Sequence, residues 1–347
     1  MGAFESAASH RSGAAARLVR RAAAALLGFA LLGAAPFDAW GDCKPRKPRP
    51  KVLLQTMGPC TFDPAQLRFA GEPAQQAACL LRPVAKLAKL GPVIEKLPDV
   101  LAARVGQSAQ LPSREVLSTY LSAQGLEDDF AAHLWLPVAR AKDNDPDAPM
   151  ARYFVIHDTS GPFLGVNRWP DDIDTNRKIN NLAGHRCEDG WESAHVVINR
   201  TGDMLLGHEL GIPWRATKFE RAQEFGTLLK GLFLHVEMIQ PRRSEWRTVR
   251  SGRKGRRVRR VRGRDSLAPT PGFSAAQYDR LALVYTIASV RADRWLIPAF
   301  HAVIDGGISG GHDDPQNFVL ADFAASLERL LDRLGKPKGS LAALERE

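Results

Sequence analysis

Three short apolar runs, each stopped by polar or turn-forming residues, constrain this chain most. Tyr153-Phe154-Val155-Ile156 is the first, Ala194–Asn199 (AHVVIN) the second and Leu232–Ile239 (LFLHVEMI) the third. Runs of this length bounded by turn signals suit buried strands. After the second run, Arg200-Thr201-Gly202-Asp203 reads as a hairpin turn and Met204-Leu205-Leu206 as the return strand. Side chains alternate along a strand, so His235 and Glu237 are expected on one face. Two helical patterns follow. Phe273-Ser274-Ala275-Ala276-Gln277-Tyr278 predicts a start capped by Ser274 and Gln277, with Phe273 and Tyr278 as the hydrophobic staple. Tyr278, Leu281, Tyr285 and Ala288 then share a face. The last pattern carries Phe323, Leu327, Leu330, Leu331 and Leu334 on one stripe and stops at Gly335 and Pro337. Strands mixed with amphipathic helices predict an α/β (α+β) domain over 151–335, with a central mixed β-sheet flanked by helices.

Upstream, residues 51–138 read as mostly helical: AACLLRPVAKLAKL, VIEKLPDVLAARVG and SREVLSTYLSAQGL, cut by Pro83, Pro92, Pro98 and Pro112. They predict a helical N-terminal region packed on the main domain. The polar stretch 141–150 suits its boundary. The 347 residues are 44% apolar and 25% charged, which argues against a disordered, collagen-like or polytopic membrane chain. The net charge of +10 is local: residues 242–265 hold twelve Arg or Lys against two acids, so the rest of the chain is neutral. We read 242–265 as a basic insertion, solvated and mobile, in an otherwise ordinary domain.

The N-terminus reads as a targeting segment. Arg11, Arg17, Arg20 and Arg21 precede the fourteen uncharged residues Ala22–Ala35. That is short of the about 20 residues that span a bilayer, but right for the centre of a signal peptide. Ala39-Trp40-Gly41 offers small residues for cleavage before Asp42. Residues 1–41 are therefore expected to be a signal peptide, 42–150 a linker and N-terminal region, and 336–347 a tail. The chain would be exported, periplasmic or secreted, with no transmembrane segment after cleavage. In an oxidising compartment Cys43, Cys60, Cys79 and Cys187 can form disulfides, and the sequence leaves all three pairings open. No CxxC or HxxxH spacing supports a metal role for Cys187.

Polar groups that interrupt apolar strands need a reason. His157 ends YFVI, His301 follows Leu296-Ile297-Pro298-Ala299-Phe300, and Asp314 lies in the Gly-rich stretch GGISGGHDDPQNF. Two imidazoles and a carboxylate, with a fourth position for water, are a usual catalytic zinc set. Five segments in order resemble the zinc-dependent N-acetylmuramoyl-L-alanine amidases of the type-2 amidase/peptidoglycan-recognition fold. They are FVIHDTSG, SAHVVINRTGD, LHVEMIQ, FSAAQYDRLALVYTIA and IPAFHAVIDGGISGGHDDPQNF, and together they cover roughly 151–333. The resemblance implies that His157, His301 and Asp314 are the metal ligands. Asp314 is chosen over Asp313 because Pro315 follows it, as in the family's Asp-Pro. It implies that Glu237 is the general base, and that His312 stands where some members carry a catalytic Lys. IPWRATKFE stands where the family has a Trp-His-Ala-Gly stretch, and the Arg tract lengthens the link from Glu237 to the next helix.

The resemblance thus implies Zn2+-dependent hydrolysis of the amide between N-acetylmuramic acid and L-alanine, with peptidoglycan or muropeptides as substrate. His195 and His235 read as core or supporting residues, and His185 and His208 as loop residues. Anionic envelope polymers or lipids are the expected partners of 242–265, rather than specific nucleic acid. Two other readings compete: a non-catalytic peptidoglycan-binding protein on the same fold, and an envelope-binding structural protein acting through the Arg tract.

Overall fold

The structure is a computed structural model that describes residues 60–335, except 86–88, 127–129, 131, 166–167, 186–193, 245, 251–255 and 261–265. Those residues belong to one compact unit within Gly41–Glu347. The expected signal peptide, Cys43, Cys187 and the C-terminal tail lie outside them. No helix among the described residues is long and apolar enough to cross a membrane.

The N-terminal region is less helical than its sequence predicts. It opens with a two-stranded turn, β1 (Phe62–Asp63) and β2 (Arg68–Phe69), then helix α1 (Pro73–Leu80). The described ends of the stretch VAKLAKL are strands rather than helix: β3 (Val84–Ala85) and β4 (Lys89–Leu90) pair antiparallel. Pro83 and the close packing of Gly91 against it favour that reversal over a continued helix. A single turn, Asp99–Ala102, and helix α2 (Arg114–Ala123), capped by Ser113, complete the region. Of the four cysteines, Cys60 and Cys79 are disulfide-bonded, tying α1 to the start of β1. Closing a loop of about 20 residues stabilises a fold by roughly 3 kcal/mol on the chain-entropy account.

The central sheet is mixed, as expected. Its strands are β5 (Tyr153–Asp158), β6 (Val196–Ile198), β7 (Met204–Leu206), β8 (Phe233–Met238) and β11 (Ile297–Phe300), in spatial order β11-β5-β8-β6-β7. All neighbours are parallel except β6 and β7, which form the hairpin expected at Arg200–Asp203. One face carries Phe154, which meets Tyr285 of helix α3 (Ala275–Arg291) edge-on at 5.2 Å. The other carries Tyr153 and Phe233, stacked at 5.0 Å, which pack on Phe69 and Phe219. The N-terminal region therefore completes the core of the sheet.

Helix α3 starts with the predicted capping box, Ser274 with Gln277, and Phe273 meets Tyr278 at 6.1 Å. Its sequence marks one apolar face, yet the structure buries it almost all round. The sheet covers one side and helix α4 (Leu320–Leu334) another. Even Arg291 is buried, donating to the carbonyls of Leu136 and Pro137.

The Arg tract departs from the expected mobile loop. Two strands, β9 (Trp246–Arg250) and β10 (Arg256–Arg260), pair antiparallel as a ribbon. Its lower boundary also moves. Arg242 and Ser244 are fully buried and belong to the domain, so the insertion starts after them. Arg243 pairs with Leu267 across the base.

Candidate metal centre

The site forms at the carboxyl ends of the parallel strands, where open α/β sheets generally bind ligands. Phe300 of β11 is the register partner of Ile156, so the chain leaves β11 with His301 beside His157. On the other side of β5, His157 is the register partner of Glu237 in β8, and Glu237 of Val197 in β6. One row across the sheet thus holds His301, His157 and Glu237. No local motif encodes this, because two of them come from separate strands and His301 from the turn that follows a third. Only pairing in register brings them together.

Asp314 reaches the row from its loop. Gly307 and Gly310 take positive φ there, which side-chain-bearing residues rarely adopt. The Asp314 carbonyl accepts from the Ala302 N–H at 2.8 Å, fixing the loop to the start of the His301 turn. Behind it, a Cβ on Gly272 would sit 2.6 Å from the Gln316 carbonyl, so only glycine allows this approach.

Three ligand-capable atoms then converge. His157 Nδ1 lies 2.8 Å from His301 Nδ1 and 3.7 Å from Asp314 Oδ2, and His301 Nδ1 lies 2.9 Å from Asp314 Oδ2. A four-coordinate ion with bonds of about 2.0–2.1 Å places neighbouring ligand atoms about 3.3 Å apart. The observed separations bracket that value, so a small shift seats an ion. All three residues are at most 4% exposed. This buried group can hold a metal ion. Cys187 lies outside the described residues.

What makes the arrangement specific is the layer behind it. With Nδ1 of each imidazole facing the site, each Nε2 is occupied. His301 Nε2 donates to Asp305 at 3.0 Å. Asp305 also accepts from His312 Nδ1 at 2.8 Å and from the Phe219 N–H at 2.9 Å. His157 Nε2 meets His235 Nδ1 at 3.0 Å, and His235 Nε2 lies 3.2 Å from Glu220. Glu220 is fully buried and accepts from the Thr217 hydroxyl and the Thr217 and Ala216 N–H groups. One consistent set of tautomers results: both ligand rings donate from Nε2 toward a buried carboxylate, His301 directly and His157 through His235. Such partners fix ring orientation and raise ligand basicity.

The carboxylates set the charge of the site. Burial pulls the His301 imidazole down, but Asp314 and Asp305 outweigh it and carry its pKa up to about 10. Burial raises Asp314, yet the His301 charge prevails and holds it below the usual carboxylate value. His157 is pushed the other way, well below the ordinary histidine value, by burial and then by His301 and His235. The cluster therefore favours one positive charge, held between two carboxylates and a neutral imidazole.

A second buried pair braces the ligand loop. Asp158, the residue after His157, accepts from Arg242 at 2.6 and 2.8 Å, and from the Gln316 N–H at 3.1 Å. The Asp158 N–H points at Asp314 Oδ2 at 3.3 Å. Gln316 in turn donates to Ser266 and accepts from Ala268, on the far side of the basic ribbon. Both roots of that ribbon thus touch the Asp313–Gln316 loop. Asp313, the neighbour passed over at the sequence level, is 3.8 Å from Arg242 and donates no atom to the three-atom cluster.

All five sequence-selected residues fall in this end of the fold. His157, His301 and Asp314 meet at one point, Glu237 is in the same row, and His312 stacks 4.0 Å from His301. His312 is one-third exposed, and burial and then His301 hold its pKa below the ordinary value. His235 and His195 are fully buried: His235 backs His157, and His195 accepts from the His235 N–H. Of the two expected loop residues, His208 is half-buried against Trp214 at 4.0 Å. Sequence reasoning missed Glu220, Asp305, Asp158 and Arg242. Asp305 had a signal, since His301 and Asp305 are four apart and share a helical face. Glu220 had none, for it sits in a loop remote from every ligand. Comparison with protein-family models, curated proteins and solved structures gave no match to this chain.

Proposed function

We propose that the chain is a zinc-dependent amide hydrolase that cleaves the bond between N-acetylmuramic acid and L-alanine in peptidoglycan. The observation that carries this reading is the convergence of two imidazole nitrogens and one carboxylate, with a carboxylate-bearing strand residue beside them. The all-N/O donor set, the burial and the closed second layer suit zinc in a catalytic setting. When bound, zinc supplies Lewis acidity toward the amide carbonyl and lowers the pKa of a water toward about 7.

The chain's own residues do the rest. Glu237, next to His157 in register, is the base that takes a proton from the attacking water and returns it to the leaving amine. It is only half-buried, unlike its register partner His157. His312 donates from Nδ1 to Asp305, so its Nε2 can donate to a developing oxyanion only when the ring is protonated, and the oxyanion role requires His312 to take up a proton during the reaction. Asp158 and Arg242 hold the Asp314 loop against β5. The Cys60–Cys79 disulfide fits an exported protein. The basic ribbon is the element suited to anionic envelope polymers or lipid headgroups.

The test is product analysis of sacculi digested with the zinc-loaded protein and with Glu237→Gln. Free L-alanine amino termini released by the first and not by the second support the reading. Sacculi that bind the protein but yield no product would assign it to non-catalytic peptidoglycan binding.

A further inference from the structure

We propose that Arg68, Arg152 and Arg294 form a second site, for a small phosphate-type dianion, at the end of the sheet opposite the metal centre.

These residues line one cavity of about 250 Å³, together with Glu72, Gln76 and Trp295. It lies at the amino ends of β5 and β11, where Tyr153 and Ile297 begin the strands. Tyr153 is four residues from His157, which is about 13 Å along a strand. The cavity is therefore not part of the metal centre, and it opens at the other edge of the sheet.

Its charge is unbalanced. Three guanidinium groups face the one carboxylate of Glu72, and none of the three has an ion-pair partner among the described residues. The carboxylates nearest in sequence are turned elsewhere. Asp63, opposite Arg68 in the β1–β2 turn, accepts from the Ala65 and Gln66 N–H groups. Asp293, beside Arg294, pairs with Arg114 at 2.9 Å. Arg152 donates from Nη1 to the Gln66 carbonyl at 3.3 Å, while its Nε is buried without a hydrogen-bond partner. Burial, and then the nearby charges of Arg294 and Arg68, hold its pKa below the usual guanidinium value. Guanidinium groups that line one cavity repel one another unless an anion lies between them.

The back of the cavity is rigid. The Tyr153 hydroxyl accepts from the Phe69 N–H and donates to Gln76, both at 2.8 Å. Trp295 is fully buried and donates to the Ala109 carbonyl. The volume is below the about 300–1,000 Å³ of pockets that hold drug-sized ligands, so it suits an ion or a headgroup rather than a sugar chain. Three positive charges against one negative leave two, which a dianion matches. Guanidinium groups recognise planar or tetrahedral oxyanions through paired N–H donors. A phosphate group, free or on a larger molecule, has this chemistry.

Calorimetric titration of the full chain with inorganic phosphate tests the site, after chelation to keep phosphate off the metal centre and against chloride at equal ionic strength. Phosphate should bind with one-to-one stoichiometry, and Arg68→Gln/Arg294→Gln should weaken it at least 10-fold. Both residues are exposed, so the double variant should keep the wild-type melting temperature. A parallel titration with glycerol phosphate separates the sources: equal or tighter binding points to a phosphoryl group on a larger molecule, and phosphate binding alone to the free ion. Equal phosphate affinity in the double variant, or no heat beyond that of chloride, would overturn the proposal.

Discussion

Strands β5 and β11 carry opposite chemistry at their two ends. At the carboxyl ends, His157 and His301 meet Asp314, and every buried charge has a partner in the next layer. At the amino ends, Arg68, Arg152 and Arg294 surround a cavity with one carboxylate between them. The first end is assembled for a cation and the second for an anion. The difference teaches that burial alone does not mark a site. What marks it is whether the charges close among themselves or leave a surplus. At the metal end Asp305 and Asp314 face the single positive charge of His301, so the surplus is one negative charge, which suits a cation.

The sharpest way to break this contrast is to remove a ligand. His157→Ala should cost most of the bound zinc and abolish amide hydrolysis, measured as metal content and as product from soluble muropeptide. Unchanged metal content would place the ion elsewhere. Glu237→Gln should retain the zinc while turnover falls about 10²–10⁴-fold, the usual range for a general base. Full activity in that variant would pass the role to His312.

The next test addresses the brace rather than the ligands. Arg242→Met leaves the Asp158 carboxylate buried without its cation, which typically costs 3–5 kcal/mol. Denaturant unfolding should show this loss, and replacing Asp158 and Arg242 together by apolar residues should recover much of it. A single variant as stable as the parent would mean that Asp158 finds another partner.

Smaller effects are expected one layer out. Glu220→Gln keeps the shape but removes the carboxylate behind His235 and His157. Metal affinity should fall about 10–100-fold, the span seen for outer-layer partners of metal ligands. Competition with a chelator of known strength measures it, and affinity equal to the parent's would show that the His235 link carries nothing.

The smallest effect on the centre should come from the ribbon. A short Gly/Ser linker in place of 246–260, with Arg242 to Ser244 kept, should preserve zinc content and soluble turnover. Only co-sedimentation with sacculi should drop, and in the parent it should weaken as salt rises, because exposed charges are screened beyond about 8 Å at physiological ionic strength. Loss of soluble turnover would instead make the ribbon part of the active site, through its roots on the Asp313–Gln316 loop.

Much of the fold was legible because it is written in local patterns. The runs at 153–156, 194–199 and 232–239, the hairpin at Arg200–Asp203 and the capped helix at Ser274 all appear where apolar period and turn residues put them. The failures have equally local causes. At 84–85 and 89–90 the helical spacing of apolar residues was overridden by Pro83 and the Gly91 contact, and 246–250 and 256–260, with little apolar content, still pair as a ribbon. His157 and His301 stood out as polar residues closing apolar strand runs, whereas Asp314, in a loop, was singled out through the family resemblance and the Pro315 that follows it.

The sequence by itself therefore determined which segments become strands and helices, where the charge concentrates, and which polar residues interrupt apolar runs. The tertiary structure alone decided who meets whom. The strand order β11-β5-β8 sets His301, His157 and Glu237 in one row, although 144 residues separate the two histidines. It also delivers Glu220 to His235, Arg242 to Asp158, and three arginines from separate segments to one cavity. The physical reason is that strand and helix preferences act over a few residues. The pairing of distant charges is settled only when the core packs and water leaves the space between them.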